Sequence, residues 1–205
     1  TAPSNKTWKM KKKAITITAN AQTVNYGTSI SKTTSDVTVA TLATGDSLDS
    51  ITLTQSTTDY TTNGTITPSA AVIKRSSTTV TDNYSITYNT GVLKINKVAA
   101  TISCTNKTYN GTEQTACSCT GGTIGGEYKA TNYRSTDYSA SCTPDGNHTA
   151  PSNKTWKMKQ AGLTIDAYEV TWASGTTYTR SNYATGVNNE KITLTYTPYT
   201  NAAST

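Results

Sequence analysis

Four cysteines are the residues of this chain whose spacing most directly indicates chemistry. Cys104, Cys117, Cys119 and Cys142 lie within one stretch, and the rest of the sequence has none. Four thiols in a small strand-rich region are typical of two disulfides formed in an oxidising, extracellular setting. A metal site is a weaker alternative, because Cys117 and Cys119 are too close for the usual zinc ligands and the single His148 has no companion at metal-ligand spacing. Free thiols are the third alternative.

A turn motif predicts which cysteines pair. The Asn110-Gly111 dipeptide tolerates the positive φ of a type I′ turn and therefore predicts a two-residue hairpin. Counting outward in that register places Cys104 opposite Cys117 in a non-hydrogen-bonded pair, whose side chains come within disulfide reach. Cys119 lies two residues farther along on the same face and is left to pair with Cys142.

No group of residues has the composition of an active site. Catalysis would need a nucleophile with a base, paired carboxylates or a metal cluster, and the chain has one histidine and 12 acidic residues. The acidic residues are expected mainly at turns, where aspartate usually bonds its own backbone; they include Asp46, Asp49, Asp82 and Asp145. The glycine-rich run 121–126 lacks the Lys-Ser/Thr ending of a phosphate loop and is interpreted as a turn. The sequence predicts a protein that is not an enzyme and has no cofactor or metal, with a Ca²⁺ ion at a module junction as the weaker alternative.

Several asparagines precede x-Ser/Thr, the acceptor motif for N-glycosylation in secreted proteins. Serine and threonine are so abundant here that a similar number of motifs would arise by chance. The candidate glycosylation sites are Asn5, Asn63, Asn83, Asn106, Asn110, Asn147 and Asn153.

The tryptophans and tyrosines have two interpretations, a sugar-binding face or anchors of an apolar core. Trp8 and Trp156 occupy the same position in two copies of a Lys-Thr-Trp-Lys-Met segment, where tryptophan alternates with polar neighbours. That alternation favours a core anchor of the sandwich over a ligand platform. Both tryptophans are expected to contribute to packing between modules or subunits. The third tryptophan is Trp172.

The net charge of +6 would suit an anionic partner such as nucleic acid, acidic glycan or lipid headgroups. The densest basic run, residues 9–13, loses two lysines in its second copy at residues 157–161. A dedicated binding site would be kept in both copies. The run is therefore interpreted as a solvated strand edge, where lysines discourage aggregation, and no nucleic-acid partner is expected. No apolar run is long enough to predict a membrane span in this segment.

Strands must position all these residues, because apolar residues alternate with polar ones along most of the chain. Ile15-Thr16-Ile17, Ile51-Thr52-Leu53 and Leu93-Lys94-Ile95 are examples. Threonine, valine, isoleucine and tyrosine favour the pleated strand, and no window has the apolar period of a helix. With 34% apolar residues the interior must be thin. The pattern predicts an all-β fold of small antiparallel sandwich or Ig-like modules.

The sequence also repeats itself. Residues 1–10 return unchanged as residues 149–158, and the match continues, with a deletion, as far as residues 192–195. The chain is therefore one full period of a repeat array and the start of the next. Such arrays are usually mechanical or adhesive.

The repeat divides the chain into modules. No Gly/Ser-rich or Pro-rich linker follows Lys97, so neighbouring modules are expected to join stiffly, end to end, as a rod. The chain itself is expected to be a processed or excerpted piece of something longer. The predicted divisions are 1–13, the closing strand of a preceding Ig-like module; 14–97, a complete module; 98–159, a shorter module with all the cysteines; and 160–205, an incomplete copy of the longer type.

Four motifs of the longer module carry a family resemblance to the MBG domain of the YGX type, which occurs in repetitive bacterial surface proteins and adhesins. They are Ala14-Ile15-Thr16-Ile17-Thr18-Ala19-Asn20, Val24-Asn25-Tyr26-Gly27, Asn83-Tyr84-Ser85-Ile86-Thr87-Tyr88 and Gly91-Val92-Leu93-Lys94-Ile95. Residues 160–205 resemble it in part, with Ser174 in place of the tyrosine. The resemblance implies a small β-sandwich-like or β-grasp-like stalk module and no catalytic residue.

The shorter module resembles a different repeat. Its Tyr109-Asn110-Gly111-Thr112 and Asp137-Tyr138-Ser139-Ala140 motifs are similar to the bacterial Ig-like Y-D/N-G repeats that often accompany MBG domains. This resemblance implies a second kind of stalk module.

These patterns predict a structural segment of an extracellular, cell-surface bacterial stalk or fibril, which provides spacing and bears load. Its partners would be neighbouring copies of itself, and adhesion would lie elsewhere on the parent chain or on the fibre surface, with glycans or host cell surfaces as its ligands. In a variant, separate subunits join by strand donation, with residues 1–13 filling a groove in the next subunit. The alternative function is a glycan-binding, lectin-like adhesin module. We expect Trp8 to be exposed in the isolated chain, although both copies of the repeated strand should adopt one conformation.

Overall fold

A computed structural model describes residues 6–163, 183–187 and 191–193 of the chain. The prediction of an all-β fold is confirmed, since the described residues form strands, two short 3-10 turns at Thr34–Asp36 and Thr81–Asn83, and no α-helix. Nothing helical in this part of the chain has the length and apolar character needed to cross a bilayer. The strands are β1 Lys13–Ala19, β2 Gln22–Asn25, β3 Val37–Val39, β4 Asp46–Gln55, β5 Thr61–Arg75, β6 Thr78–Thr79, β7 Tyr84–Asn89, β8 Gly91–Asn96, β9 Val98–Ala99, β10 Thr101–Cys104, β11 Lys107–Thr108, β12 Gln114–Thr115, β13 Cys117–Thr120, β14 Gly122–Gly126, β15 Lys129–Ala130, β16 Tyr138–Pro144, β17 His148–Thr149, β18 Lys154–Trp156, β19 Met158–Lys159, β20 Tyr183–Thr185 and β21 Lys191–Thr193.

The chain divides into two compact units. Unit 1 contains residues 1–100 and 144–150, and unit 2 contains residues 101–143 and 151–205. This division differs from the sequence-based one at residues 98–100 and 144–150, which were assigned to the cysteine module. In unit 1 they supply β9 and β17, which pair in parallel. Most of the predicted incomplete module 160–205 lies outside the described residues; its described strands, β20 and β21, pair antiparallel.

Besides the short β9–β17 ladder, unit 1 contains two larger sheets. In one, β1 lies between β3, its antiparallel partner, and β7, its parallel partner. The other has the order β2-β8-β5-β4, and β6 pairs with the end of β5. Alternate residues of these strands are buried, and they form a single apolar cluster to which both sheets contribute. Ile17, Ile66, Ile73 and Leu93 lie at its centre with no exposed surface.

The Tyr26-Gly27 motif of unit 1 forms a turn after β2. Thr28 N–H donates to the carbonyl oxygen of Asn25 at 2.9 Å, and Gly27 has a φ of 82°, in the left-handed region that favours glycine. Tyr26 packs against the core cluster. The motif therefore serves backbone geometry and packing.

Unit 2 is made of short ladders. They are β10 with β13, β11 with β19, β12 with β15, and the sheet β14-β16-β18. Few of its described residues have buried side chains, and the largest of these is Trp156. Such a thin interior offers little apolar stabilisation, which is the usual setting for disulfides in small domains.

The interpretation of residues 121–126 as a turn is wrong. Gly122–Gly126 is β14, at the edge of the β14-β16-β18 sheet. A Cβ atom on Gly126 would lie 2.8 Å from the backbone oxygen of Ser139, so glycine is needed here for close approach of two backbones. Glycine content alone does not distinguish that role from a turn.

Candidate functional site

The most specific packing in unit 2 surrounds Trp156, which is 1% exposed. Its ring stacks on the ring of Tyr138, with centroids 4.6 Å apart and 19° between the planes. Its Nε1–H donates to the carbonyl oxygen of Glu127 at 2.7 Å. Strand β18 brings it there by pairing antiparallel with β16, with Trp156 directly opposite Tyr138. A tryptophan held both by its ring and by its polar edge can adopt only one position.

A charged layer covers the other face of Tyr138. The guanidinium carbon of Arg134 lies 3.8 Å from the centre of that ring, and its two terminal nitrogens donate to the carboxylate of Glu127 at 2.5 and 2.6 Å. The bond from Arg134 holds the pKa of Glu127 below its usual 4.5, with a smaller effect from the backbone N–H of Ser139. The stack Arg134–Tyr138–Trp156 is therefore fixed at both ends.

The chain continues from Trp156 into a second ladder. Met158, 1% exposed, lies on β19, which pairs in parallel with β11. The backbone of Lys157 is held on both sides, since its N–H donates to Asn106 Oδ1 at 2.7 Å and its carbonyl accepts from Lys107 N–H at 2.9 Å. Tyr109 N–H donates to the carbonyl of Lys159 at 2.8 Å. Residues 154–159 therefore close unit 2 by joining β16 to β11. We call them the closing strand.

The other copy of this sequence has the opposite environment. Trp8 and Met10 are 82% and 84% exposed, and residues 6–12 belong to no strand. The exposure of Trp8 agrees with expectation, but the expectation of one shared conformation is wrong for the isolated chain. The closing strand owes its conformation to β16 and β11, and residues 6–12 pair with no strand in the described part of unit 1. This difference in secondary structure counts against the repeat-array interpretation, which is left with the sequence identity of the two segments as its support.

Two disulfides connect three strands of unit 2. Cys104 is bonded to Cys117 with a Cα–Cα distance of 4.1 Å, and Cys119 to Cys142 at 6.0 Å. They join β10 to β13 and β13 to β16. The register places Cys104 opposite Cys117, and the neighbouring Thr105 N–H donates to Ala116 at 2.9 Å. The described cysteines include no free thiol.

The predicted Asn-Gly hairpin is only partly formed. Its register holds where β10 meets β13, but nearer the turn the two arms separate, because β11 pairs with β19 and β12 with β15. Asn110 Oδ1 accepts from Thr112 N–H at 3.1 Å and so closes a local turn of its own. Gly111 has a positive φ but Asn110 does not, so the turn is not the predicted type I′. The predicted register holds at the cysteines although no continuous hairpin connects them to the turn.

The candidate glycosylation sites differ in how free their side chains are. Asn147 donates to Asp59 at 3.0 Å and accepts from Tyr60 N–H at 2.7 Å, while Asn106 and Asn110 hold backbone groups of unit 2. Asn63, Asn83 and Asn153 are exposed. Asn5 and Trp172 lie outside the described residues.

A polar network in unit 1 was missed by the sequence analysis. The side chain of Asp46 is 3% exposed and lies 2.6 Å from Arg75 Nε, and Tyr84 Oη donates to its other oxygen at 2.6 Å. Arg75 first, and then Tyr84, hold the pKa of Asp46 below its usual 3.8. Burial raises the pKa of Tyr84 from its usual 10.0, and its bond to Asp46 adds to that shift.

This network corrects the prediction of turn aspartates. Asp46 and Asp49 lie in the first part of β4 and form ion pairs with basic side chains of β5. Asp46 pairs with Arg75, and Asp49 lies 2.9 Å from Lys74 Nζ. Asp145 behaves as predicted, since it accepts from Asn147 N–H at 2.8 Å, and Asp82 lies in a 3-10 turn. The network could have been predicted only by placing Asp46 opposite Arg75, and that requires the register of β4 against β5.

Ionisable groups elsewhere form pairs and not clusters. His148 Nδ1 lies 2.6 Å from Asp145 Oδ1, and the ring of His148 contacts the edge of Tyr26. No three metal-ligating side chains come together in the part of the chain that the structure describes.

Unit 2 has an open groove on its described surface. The groove has a volume of about 520 Å³ and is lined by Tyr109 and Tyr133 together with Asn132 and Gln160. Tyr133 is one of the exposed large side chains of the chain. Aromatic faces beside amides are suited to a polar, ring-shaped ligand such as a sugar.

Comparison of the chain with protein-family models, with curated proteins and with solved structures finds no match. The functional argument therefore depends on the residues and their geometry.

Proposed function

We propose that this chain is a structural segment of an extracellular stalk or fibril, in which small β modules are joined end to end to provide spacing and bear load. The observation that carries the proposal is the recurrence of residues 1–10 as residues 149–158, because the second copy closes unit 2 through the buried Trp156 and Met158. A recurring closing strand implies a recurring module. The two disulfides support an oxidising, extracellular setting.

The topology of unit 1 supports a load-bearing role. Its first strand, β1, pairs in parallel with β7 over six residue pairs, and its last long strand, β8, pairs in parallel with β2 over four. Force applied at the two ends of this segment draws parallel neighbours past each other. All the evenly spaced hydrogen bonds of a parallel ladder then share the load, whereas a hairpin opens one pair at a time.

Single-molecule force spectroscopy tests this proposal. The full chain pulled from its two ends should unfold unit 1 at a higher force than the same chain pulled through handles at Ser47 and Lys74. Those two residues face each other across the antiparallel β4–β5 ladder, so pulling them apart unzips it. Equal forces in the two geometries, or a lower force from the ends, would contradict a load-bearing role.

The groove beside Tyr109 and Tyr133 favours the second candidate, glycan binding. A glycan array probed at two salt concentrations separates the two functions, since a spacer binds no glycan. Saturable, selective binding that Tyr133→Ala abolishes would establish the lectin function in place of the spacer. Binding that salt removes from every acidic glycan would reflect the net charge of +6 alone.

A further inference from the structure

The exposed residues 6–11 have the same sequence as the closing strand, residues 154–159. We propose that residues 6–11 are a second closing strand, which binds the groove between β16 and β11 in unit 2 of another copy of this chain when that copy's own closing strand has left the groove. The inference rests on the repeat behind the proposed function and names the partner and the site of contact.

Every group that the closing strand uses is present in the exposed copy. Trp8 corresponds to Trp156, which stacks on Tyr138 and donates to the carbonyl of Glu127. Met10 corresponds to Met158, whose sulfur lies 3.7 Å from the amide nitrogen of Gln114. The remaining bonds are made by backbone atoms of the strand, and backbone atoms are the same in any chain.

The two copies diverge only where the groove ends. Lys11 still matches Lys159, the last residue of β19. The next positions hold Lys12 in one copy and Gln160 in the other, and both side chains are exposed. The charge difference between the copies therefore lies outside the ladder and does not oppose binding.

Residues 6–11 also expose apolar surface of the kind that a binding partner usually covers. A tryptophan and a methionine two residues apart, both more than four-fifths exposed, present apolar area that is normally buried. Four lysines, Lys6, Lys9, Lys11 and Lys12, alternate with this apolar face or follow it and keep the segment soluble. A strand with one apolar face and one charged face fits a groove with one open side.

An intact unit 2 does not accept this strand, because its own copy makes the same contacts within one chain. Replacing the closing strand by residues 6–11 of another chain forms no additional contact. It also costs the translational and rotational entropy of two separate molecules. The acceptor is therefore a second copy whose own closing strand has been withdrawn or disabled.

The first test uses a full-length acceptor, Trp8→Ala/Met10→Ala/Trp156→Ala/Met158→Ala, in which both copies are disabled. A synthetic peptide of residues 1–11 should bind it at least about tenfold more tightly than a peptide carrying Trp8→Ala and Met10→Ala. It should also raise the melting temperature of unit 2 or, if the acceptor is unfolded there, restore its folding. Equal behaviour of the two peptides overturns the proposal.

The second test uses a full-length chain that keeps residues 6–11, Trp156→Ala/Met158→Ala. It should form dimers or longer assemblies in light scattering after size-exclusion chromatography, with Trp8 buried as seen by ¹⁹F NMR of fluorotryptophan. The quadruple variant should stay monomeric. A monomeric double variant overturns the proposal, including a monomer with Trp8 buried, because that result shows insertion within one chain. The force measurement on the wild-type chain is independent of both tests, so the load-bearing proposal can stand if this one fails.

Discussion

Trp156 shows how much of unit 2 depends on one side chain. It contacts Tyr138 through its ring and Glu127 through its nitrogen, and it is the largest fully buried residue of the described chain. Trp8 has the same neighbours in sequence and none of these contacts. The difference between them measures the contribution of the groove.

Replacing each tryptophan separately tests this at matched positions. Trp156→Ala should lower the free energy of unfolding of unit 2 by about 3–5 kcal/mol, because it removes a buried ring and leaves a cavity. Trp8→Ala, in the same local sequence, should change the stability of the monomer by less than about 0.5 kcal/mol. Chemical denaturation followed by circular dichroism gives both values. Similar losses in the two variants would contradict the observed environments.

Asp46 predicts how unit 1 responds to acid. Its pKa is lowered in the folded state by Arg75 and Tyr84, so the unfolded chain binds the proton more readily. The stabilisation is therefore complete above the unfolded pKa and is lost as the pH falls through the lower, folded value. The melting temperature of unit 1 should decline as the pH drops below about 4.

The matched variants for this prediction are Asp46→Asn and the exposed Asp82→Asn. Asp46→Asn should lower the melting temperature of unit 1 at neutral pH and flatten its decline in acid. Asp82→Asn should keep the wild-type profile. A wild-type acid profile in Asp46→Asn would show that this carboxylate does not contribute to the pH dependence.

At the scale of elements, the local sequence determines which segments form strands, but it does not determine which strands pair with each other. The two arms beside Asn110-Gly111 have the correct register at Cys104 and Cys117, yet β11 and β12 leave each other for β19 and β15. A short hairpin is only marginally stable by itself, so competing ladders can replace its pairs near the turn. The disulfide lies where the original register remains.

The glycine-rich β14 is a second case in which the neighbouring strand decides the role of a local sequence. The sequence analysis expected a turn there because glycine is common in turns. Gly126 is instead required because the backbone of β16 passes close to it. Only the neighbouring strand distinguishes the two roles.

At the scale of the whole molecule, the two units have different means of stabilisation. Unit 1 has a continuous apolar cluster and no cysteine, whereas unit 2 has a thin interior and both disulfides. Their responses to a reductant should therefore differ.

Calorimetry with and without a reductant tests this difference. Reduction should lower the stability of unit 2 by roughly 2–4 kcal/mol for each disulfide, because a disulfide restricts the unfolded chain. The unit 1 transition in the same scan is the internal control and should not move. Peptide mapping without reductant should recover Cys104 linked to Cys117 and Cys119 linked to Cys142. An equal shift of both transitions would contradict the confinement of the disulfides to unit 2.

The sequence by itself determined the class of the fold, because alternation is a local property: successive side chains of a strand point to opposite faces. The burial pattern of β1 and β8 follows that alternation directly. The register predicted for the cysteines by counting outward from Asn110-Gly111 also agrees with the structure, although the pairs nearer the turn do not form. Both predictions use residues that are close along the chain.

Only the tertiary structure decided which strands meet. It placed residues 144–150 in unit 1, joined Asp46 to Arg75 and Tyr84, and gave identical segments opposite environments at Trp8 and Trp156. Each of these depends on groups that are distant in sequence. A strand has unpaired hydrogen-bonding groups and one apolar face, and what satisfies them is set by the surface that is available, which no local pattern specifies.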